Sequence, residues 1–341
     1  MLVLGIESTC DETAFAVVRE GKEILSNVIA SQIDVQSEFG GVVPELAARR
    51  HVDALTPLLE QSLQEANVSL NEIDLIAVAY GPGLIGPLTI GVTAAKALAL
   101  SIQKPFVGVN HIEAHLYGAI MSSDEPVEFP ALGVVISGGH TALVLMHGIG
   151  RYSLIGQSVD DAIGEAFDKV ARILRLPYPG GPEIEKLAAI GDAHRYPFKA
   201  GRVKDAPLSF SFSGLKTSVL YTVNGQNISQ SRGLELNTQE ICDVAASFQL
   251  AALMDIVEKS LAAARLHGLT TLVLGGGVTN NQKLREFFTQ ANPNMRYCWP
   301  SKGLSVDNAA MIAGLGYHCF LNRGEGDAYD LEAKTCIPFG V

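Results

Sequence analysis

The stretch that decides the fold is Leu2–Val18, with the sequence LVLGIESTCDETAFAVV. An apolar run, a short polar turn and a second apolar run predict a β-hairpin. Residues 132–146, LGVVISGGHTALVLM, repeat this pattern at the start of the second half of the chain. Because strands that are apolar throughout are buried on both faces, we expect each hairpin to lie in a sheet that is covered by helices.

The remaining periodicity predicts strands at 74–80, 105–109 and 271–274, and helices at 43–66, 89–102, 160–174, 238–267, 282–290 and 308–319. Strands followed by helices, twice over, predict two α/β lobes with a cleft between them. We place the first lobe at 1–125, completed by 309–341, and the second at 126–308. The Gly-, Ser- and Lys-rich stretch 195–230 is interpreted as an insertion in the second lobe.

The composition excludes several classes of protein. The chain has 341 residues, 48% of them hydrophobic, which argues against general disorder. Its net charge of −11 argues against non-specific coating of nucleic acid, although cations cluster at 49–51 and 194–204. The start of the chain shows no targeting signal, and prolines, glycines and a lysine interrupt the apolar stretch 83–102. We therefore expect a cytoplasmic protein that does not enter membranes.

Five scattered cysteines without a CxxC pair argue against a disulfide framework and against a thiolate zinc site. The glycine-rich turns 137–141 and 275–281 are candidates for phosphate binding, because glycine lets backbone N–H groups approach an anion. The first hairpin offers the Ser8 and Thr9 hydroxyls in the matching place. A plain tight turn is the alternative for each loop. Walker and GxGxxG fingerprints are absent, which argues against P-loop ATPases and dehydrogenases.

His111 and His115 are four residues apart, so on a helix both imidazoles lie on one face and suit a single metal ion. A pair of surface histidines is the alternative. Glu113 would point about 200° away, which argues against a zinc peptidase of the HExxH type. A third ligand is needed, and Asp307 is a candidate, although a helix N-cap is its simpler local role.

Other polar clusters have a chemical and a structural interpretation. Asp11 and Glu12 lie on the first hairpin turn. They are candidates for general acid–base catalysis, and a solvated pair of surface carboxylates is the alternative. Asp160 is predicted to cap a helix. Residues 178–182 are predicted to form a turn, and 210–217, which alternate aromatic and hydroxyl side chains, an edge strand.

Taken together, the ordered motifs resemble the TsaD family of tRNA threonylcarbamoyladenosine transferases, once described as glycoprotein endopeptidases. The motifs that carry the resemblance span nearly the whole chain and lie at 5–8, 40–47, 81–84, 111–115, 137–141, 164–169, 212–216 and 307–309.

The resemblance implies an α/β, two-lobed actin/Hsp70-like ATPase (ASKHA) fold with a nucleotide cleft between the lobes. It implies metal-assisted transfer of the threonylcarbamoyl group from threonylcarbamoyl-AMP to the exocyclic amine of the adenosine 3′ of the anticodon, in tRNAs that read ANN codons. The implied partners are tRNA, a paralogous inactive TsaB-like subunit and a small TsaE-like ATPase. A separate synthase would supply the adenylate.

The resemblance also implies roles for particular residues. His111, His115 and Asp307 would hold one divalent ion per subunit, iron (Fe²⁺) with zinc as the alternative. Independently of the resemblance, the position of Asp11 and Glu12 on the hairpin turn leads us to hypothesise that one of them takes a proton from the attacking amine. Glu185, where many relatives carry Asp, would touch a ribose. The residues implied for ATP or the acyl-adenylate are Thr9, Val135, Ile136, Ser137, Gly138, Gly139, Asp168, Gly181, Glu185 and Asn281.

Three other functions remain open at this point. A metallopeptidase would use the histidine pair for hydrolysis. A small-molecule kinase of the same ATPase fold would transfer phosphate and would not need the histidines. A non-catalytic interaction subunit would need neither the glycine-rich turns nor the three candidate metal ligands.

Overall fold

The computed structural model describes residues 1–39, 43–225 and 236–339. Its strands are β1 (Leu2–Glu7), β2 (Glu12–Arg19), β3 (Glu23–Ser31), β4 (Leu75–Gly81), β5 (Phe106–Asn110), β6 (Ala131–Ile136), β7 (Thr141–Gly148), β8 (Arg151–Gln157), β9 (Thr271–Gly275) and β10 (Arg296–Cys298). Its α-helices are α1 (Ile33–Phe39), α2 (Pro44–Ala66), α3 (Ile85–Ile102), α4 (His111–Met121), α5 (Ile163–Ile173), α6 (Gly180–Ala188), α7 (Ser213–Asn224), α8 (Thr238–Leu266), α9 (Gln282–Ala291) and α10 (Ala309–Arg323). Residues 40–42 of one family motif and 226–230 of the predicted insertion lie outside the described residues.

The strands form two five-stranded sheets, in the orders β3-β2-β1-β4-β5 and β8-β7-β6-β9-β10. Each sheet therefore has the same order when its strands are counted along the chain: third, second, first, fourth, fifth. β1 is antiparallel to β2 and parallel to β4, and β6 is parallel to β9. The two similar hairpins seen in the sequence thus open two sheets of equal strand order, and the predicted α/β class is confirmed.

The chain divides into two compact units. The first unit comprises residues 1–129, 146–153 and 298–341, and the second comprises 130–145 and 154–297. The first contains the β3-β2-β1-β4-β5 sheet with α1–α4 and α10, and the second contains α5–α9. The predicted boundaries had placed 146–153 and 298–308 in the second lobe, whereas these residues cluster with the first unit.

The sheet of the first unit is buried on both faces, as its apolar strands predict. Val3 packs in one core cluster with residues of α4 and α10, and Leu4 packs in another with residues of α3. Gly5 lies where α10 begins, and a Cβ there would overlap the carbonyl oxygen of Ala309. Glycine at this position therefore lets the N-terminus of α10, and Asp307 just before it, come close to β1.

Helix α3 is long and apolar enough to cross a membrane by length and composition alone. However, its Val92, Ala95 and Ala99 side chains are buried in the core of the first unit, in the same cluster as Ile76 of β4. A buried face of this kind is typical of a helix that packs against a sheet, and it accounts for the apolar residues on that face.

Two local predictions in the second unit were wrong. Residues 210–217 are not an edge strand, because Phe210 forms only an isolated bridge with Ser158 and α7 begins at Ser213. The aromatic alternation instead reflects two fully buried rings, Phe210 and Phe212, whose centroids lie 6.1 Å apart.

Asp160 does not cap α5, which begins at Ile163. Its carboxylate accepts hydrogen bonds from the Ser211 and Ser213 hydroxyls and from the Phe212 N–H, so it holds the start of α7. The predicted turn at 178–182 is partly helical, because α6 begins at Gly180. The two wrong predictions, the strand at 210–217 and the cap by Asp160, have one cause, because the Asp160 side chain is satisfied by a segment about fifty residues away.

Candidate active site

Helix α4 brings the two histidines together in the first unit. Strand β5 ends at Asn110, whose side-chain oxygen accepts a hydrogen bond from the Ile112 N–H at 2.9 Å and so caps the helix. His111 and His115 follow one turn apart, both buried, with ring centroids 4.7 Å apart. The helical geometry predicted from their spacing is confirmed.

Asp307 completes a cluster with the two histidines. Its Oδ1 atom lies 3.6 Å from His111 Nε2 and 3.2 Å from His115 Nε2. The three ligand atoms lie within 4.8 Å of one another. Asp307 is not the cap of α10, because Asn308 accepts the hydrogen bond from the Met311 N–H at 3.0 Å. Asn308, and not Asp307, therefore caps α10.

These three residues fit a divalent metal ion. His115 is buried, yet neither of its ring nitrogens has a hydrogen-bond partner among the described residues. Such a buried polar group is costly unless it is satisfied by something else, and an ion held with His111 and Asp307 would satisfy it. Two ligands about 2.1 Å from a tetrahedral ion are about 3.4 Å apart, close to the observed separations. Two imidazoles and one carboxylate suit iron or zinc.

Glu7, at the end of β1, orients His111. The His111 Nδ1–H donates to Glu7 Oε2 at 2.9 Å, and Glu7 Oε1 accepts from the Thr9 N–H at 2.6 Å. In its neutral form, with the single proton on Nδ1, the imidazole presents Nε2 toward Asp307 as a ligand atom. Burial alone would lower the pKa of His111, but the carboxylates of Glu7 and Asp307 raise it to about 9.

The role of Glu7 is not among those predicted from the sequence. A signal was present, because a carboxylate at the end of an otherwise apolar strand is a candidate for a buried functional group. Its partner His111, however, lies 104 residues further along the chain. The pairing of β1 with β4, and of β4 with β5, brings the two residues together.

Asp11 lies on the turn between β1 and β2, and Glu12 is the first residue of β2, in the same unit as the histidines. Burial raises the pKa of Asp11, and burial together with the charges of Asp307 and Asp11 raises the pKa of Glu12 to about 10. Burial and these neighbouring carboxylates also raise the pKa of the Cys10 thiol well above its ordinary value. Cys10 is therefore not an activated nucleophile, and the crowded negative charge favours a bound cation.

His51 corrects one prediction. The sequence placed it in a cationic surface cluster with Arg49 and Arg50, but its side chain is fully buried. Its Nδ1 lies 2.7 Å from Thr13 Oγ1, and its Nε2 lies 3.1 Å from the carbonyl oxygen of Cys10. Burial lowers the pKa of His51, which favours the neutral ring. This histidine thus anchors the turn that carries Asp11 and Glu12.

Glu113 lies on α4 between the histidines but is not part of their cluster. Its charge instead acts on Tyr152 and Cys319, where it raises both pKa values together with burial. The general-base carboxylate of an HExxH peptidase shares the metal face of its helix. The geometry of α4 therefore gives no support to a peptidase.

In the second unit, the turn after β6 is open to a ligand. A Cβ added at Gly138 or Gly139 would meet no atom within 4 Å. The turn itself is firmly held, since Gly138 O accepts from the Glu165 N–H at 3.0 Å and a Cβ on Gly164 would lie 2.7 Å from Gly138 Cα. Close backbone packing behind the loop and free space in front of it suit an anion-binding turn.

The other predicted nucleotide residues belong to the same unit and are held by hydrogen bonds. Asp168 Oδ1 accepts from the Gly180 N–H at 2.7 Å, which ties α5 to the start of α6. Glu185 Oε1 accepts from the Gln282 N–H at 2.7 Å. Asn281 caps α9 and donates from Nδ2 to Gln249 Oε1 at 2.9 Å. A Cβ on Gly181 would meet nothing within 4 Å, as at Gly138.

Three of the residues predicted to bind the nucleotide differ from the others, because two have buried side chains and one lies in the first unit. The side chains of Val135 and Ile136 are fully buried in β6, so only their main chain could face a ligand. Thr9 lies in the first unit, where its hydroxyl is 3.4 Å from His111 Nδ1.

Comparison with known proteins supplies the family. A family profile described as TsaD, tRNA N6-adenosine threonylcarbamoyltransferase, matches residues 23–314. The chain belongs to the TsaD family. A relative of that name from Protochlamydia amoebophila (strain UWE25) is 62% identical over 338 residues, covering 99% of this chain and 98% of its own length. One from Chlamydia felis (strain Fe/C-56) is 50% identical over 324 residues, covering 95% and 93%.

Solved structures with little sequence similarity share the fold of this TsaD family member. HypF from T. kodakarensis superposes with a TM-score of 0.60 at 14% identity, over 95% of this chain and 48% of HypF. A ROK hexokinase from Thermus thermophilus gives 0.51 at 17% identity, over 95% and 99%. These similarities confirm the predicted actin/Hsp70-like ATPase fold. The family membership identifies the protein as a transferase that modifies tRNA.

Proposed function

We propose that this protein transfers a threonylcarbamoyl group from threonylcarbamoyl-AMP to the N6 amine of the adenosine 3′ of the anticodon, in tRNAs that read ANN codons. The observation that carries the proposal is the buried cluster of His111, His115 and Asp307 beside the carboxylates of Asp11 and Glu12. No feature of the described residues favours a peptidase or a small-molecule kinase instead.

His111, His115 and Asp307 would hold the metal ion, and Glu7 would fix the orientation of His111. When bound, a divalent ion supplies Lewis-acid polarisation of the donor carbonyl. We propose Fe²⁺ as the ion, as the family resemblance implies, with Zn²⁺ as the alternative. Two nitrogens and one carboxylate suit both ions.

Asp11 and Glu12 are the candidates for proton transfer. As the amine nitrogen bonds to the carbonyl carbon, the bond from that carbon to the phosphate oxygen of AMP breaks, and AMP leaves. The amine then has a surplus proton, which one of the two carboxylates accepts. Burial raises the pKa of both groups, and a cation bound near Asp307 would lower it toward the range useful for a base.

Residues of the second unit would bind the adenylate, or ATP. The backbone N–H groups of Ser137, Gly138 and Gly139 suit the phosphate, because the turn is open in front of the glycines. Main-chain groups of Val135 and Ile136 precede this turn. The residues assigned to the nucleoside are Asp168, Gly181, Glu185 and Asn281, and Thr9 of the first unit is assigned to the substrate beside His111.

We also propose the cellular setting that family membership suggests. The partners would be a paralogous inactive TsaB-like subunit and a small TsaE-like ATPase, and a separate synthase would make threonylcarbamoyl-AMP. The reaction would take place in the cytoplasm, where tRNA is available.

The proposal is tested by reconstitution with tRNA, threonine, bicarbonate, ATP, the synthase and the two partner proteins. We expect modified adenosine, detected by mass spectrometry of digested tRNA. A chelator should abolish its formation, and Fe²⁺ or Zn²⁺ should restore it. Absence of the modified nucleoside with the metal-loaded protein and active synthase would refute the transferase function.

A further inference from the structure

The segment 194–204 of the second unit is an exposed run of cations in an acidic protein. Four of the chain's 25 Lys and Arg residues fall within residues 195–204, which contain no Asp or Glu. They are Arg195, Lys199, Arg202 and Lys204, and all four are exposed. Among the ion pairs of residues 1–39, 43–225 and 236–339, none includes any of these four side chains. With a net charge of −11, the protein can attract a polyanion only through such a local cluster.

Two aromatic rings lie among these cations. Tyr196 and Phe198 stack with their centroids 5.7 Å apart and an angle of 16° between the rings. Both rings, with Lys199 and Arg202, line a cavity of about 560 Å³. This volume lies in the range of about 300–1,000 Å³ that small ligands and nucleotides occupy. Aromatic rings interleaved with cations are the usual composition of surfaces that bind single-stranded nucleic acid.

The other wall of the cavity is helix α8, which contributes Ser247, Asp255 and Glu258. The Ser247 hydroxyl is engaged by the main chain of Asp192 and Tyr196, so the two carboxylates are the groups on this wall that can accept hydrogen bonds from a base amino group or a ribose hydroxyl. Asp255 is also paired with Lys259 at 2.7 Å, which reduces its repulsion of a phosphate. The cavity thus combines stacking surface, acceptors and nearby positive charge.

The segment is held in place by its main chain, so its side chains are free to contact a ligand. The Asp192 N–H donates to Asp243 Oδ1 at 2.8 Å, and the Tyr196 N–H donates to Ser247 Oγ at 3.2 Å, both on α8. At the other end, the Gly201 N–H donates to the carbonyl oxygen of Ser211 at 3.0 Å. A prepared conformation lowers the entropic cost of binding.

We propose that this segment and its cavity form a binding surface for single-stranded nucleotides of the tRNA, other than the adenosine that is modified. The inference rests on the proposed function, which supplies tRNA as the substrate. Arg195, Lys199, Arg202 and Lys204 would neutralise backbone phosphates. An unstacked base would lie against the Tyr196–Phe198 pair, as bases of RNA loops do on aromatic side chains.

The first experiment measures tRNA binding by the metal-loaded full chain, by fluorescence anisotropy of an unmodified transcript over a series of salt concentrations. The test variant is Lys199→Gln/Arg202→Gln. Its matched control is Lys22→Gln/Arg265→Gln, which removes one exposed Lys and one exposed Arg elsewhere. We expect about tenfold weaker binding for the test variant and a shallower salt dependence, by about 0.7 per lost contact in log–log units. The control should stay within about twofold of wild type.

The second experiment tests the aromatic pair. Phe198→Leu is expected to weaken tRNA binding by about tenfold without changing the salt dependence, because stacking is lost and charge is kept. Melting temperature reports whether the variant is folded. If it is not, the charge variants decide the question alone, since they change only exposed side chains.

Transfer kinetics separate this inference from the proposed function. For Lys199→Gln/Arg202→Gln we expect the KM for tRNA to rise about tenfold while kcat at saturating tRNA stays unchanged. Wild-type binding and KM in this variant, or equal weakening in the control, would overturn the proposed surface and leave the transferase intact. Failure of the wild-type protein to modify any tRNA would overturn the proposed function instead.

Discussion

Replacing Glu7 by Gln tests whether a carboxylate outside the ligand set controls metal binding. Glu7 is fully buried and lies 2.9 Å from His111 Nδ1. Glutamine has the same length but only one acceptor oxygen, so the change removes the charge and one of the two hydrogen bonds that Glu7 accepts, from His111 Nδ1–H and from the Thr9 N–H. Loss of such an outer partner usually weakens metal binding 10- to 100-fold, which is about 1.4–2.7 kcal/mol.

The pH of the measurement matters, because the carboxylate of Glu7 has two opposing effects. It strengthens His111 as a ligand, but with Asp307 it also raises the pKa of this histidine to about 9, despite burial. At neutral pH a proton therefore competes with the metal, and removing the charge of Glu7 would relieve that competition. Near pH 9 the proton competes only weakly with the metal for His111. The loss of metal affinity caused by Glu7→Gln should therefore be fully visible at that pH.

The assay is competition for Zn²⁺ between the protein and a chromophoric chelator of known affinity, near pH 9. Glu113→Gln is the matched control, because it makes the same change in a buried glutamate beside the histidines but outside their cluster. We expect the dissociation constant of the control to stay within about twofold of wild type. Wild-type affinity in Glu7→Gln, or equal weakening in Glu113→Gln, would refute the assigned role of Glu7.

Four further predictions concern other parts of the molecule. Glu12→Gln should retain ATP binding while single-turnover transfer falls about 10²–10⁴-fold, and an unchanged rate would exclude Glu12 as the base. Gly139→Ala should leave the melting temperature unchanged, because the new Cβ meets no protein atom within 4 Å. It should weaken ATP binding, measured by calorimetry, because the Cβ occupies the space in front of the turn that is proposed for the phosphate. Gly276→Ala should instead cost about 1–3 kcal/mol of stability in urea unfolding, since its φ is +101° and its Cβ would lie 2.5 Å from the Ile136 carbonyl oxygen. Burial raises the pKa of Asp161, but hydrogen bonds from two lysines outweigh it and lower the pKa below the ordinary value. The ionised Asp161 carboxylate therefore stabilises the folded protein above about pH 4, and this stabilisation is lost as the pH falls. Asp161→Asn should cost about 1–2 kcal/mol at pH 7 and much less at pH 3, and an equal cost at both would contradict this.

The elements that could be predicted are those whose signal is local. The two hairpins, the long helix now called α8 and the helical pairing of His111 with His115 all follow from the spacing of residues close together in the chain. Helix α7 could not be predicted in this way. The segment 210–217 has the alternation of a strand, but Asp160 binds its hydroxyls and main chain and so starts a helix there.

The role of His51 could not be predicted for a related reason. Next to two arginines in the sequence, it has the composition of a surface cluster. Only the packing of α2 against the first sheet buries it and gives it the Cys10 carbonyl and the Thr13 hydroxyl as partners. A titratable side chain takes its charge and role from its neighbours, and most of these are distant along the chain.

By itself, the sequence determined the α/β class, the repeated strand pattern, the glycine turns and the pair of histidines on one helix face, because each depends on the order of neighbouring residues. Only the tertiary structure decided that Asp307 joins these histidines and that Glu7 orients one of them. Those contacts depend on strand pairing in the first sheet and on glycine at position 5, which lets α10 begin against β1. A metal site is a convergence in space, and the residues proposed here as its ligands are separated by almost two hundred residues.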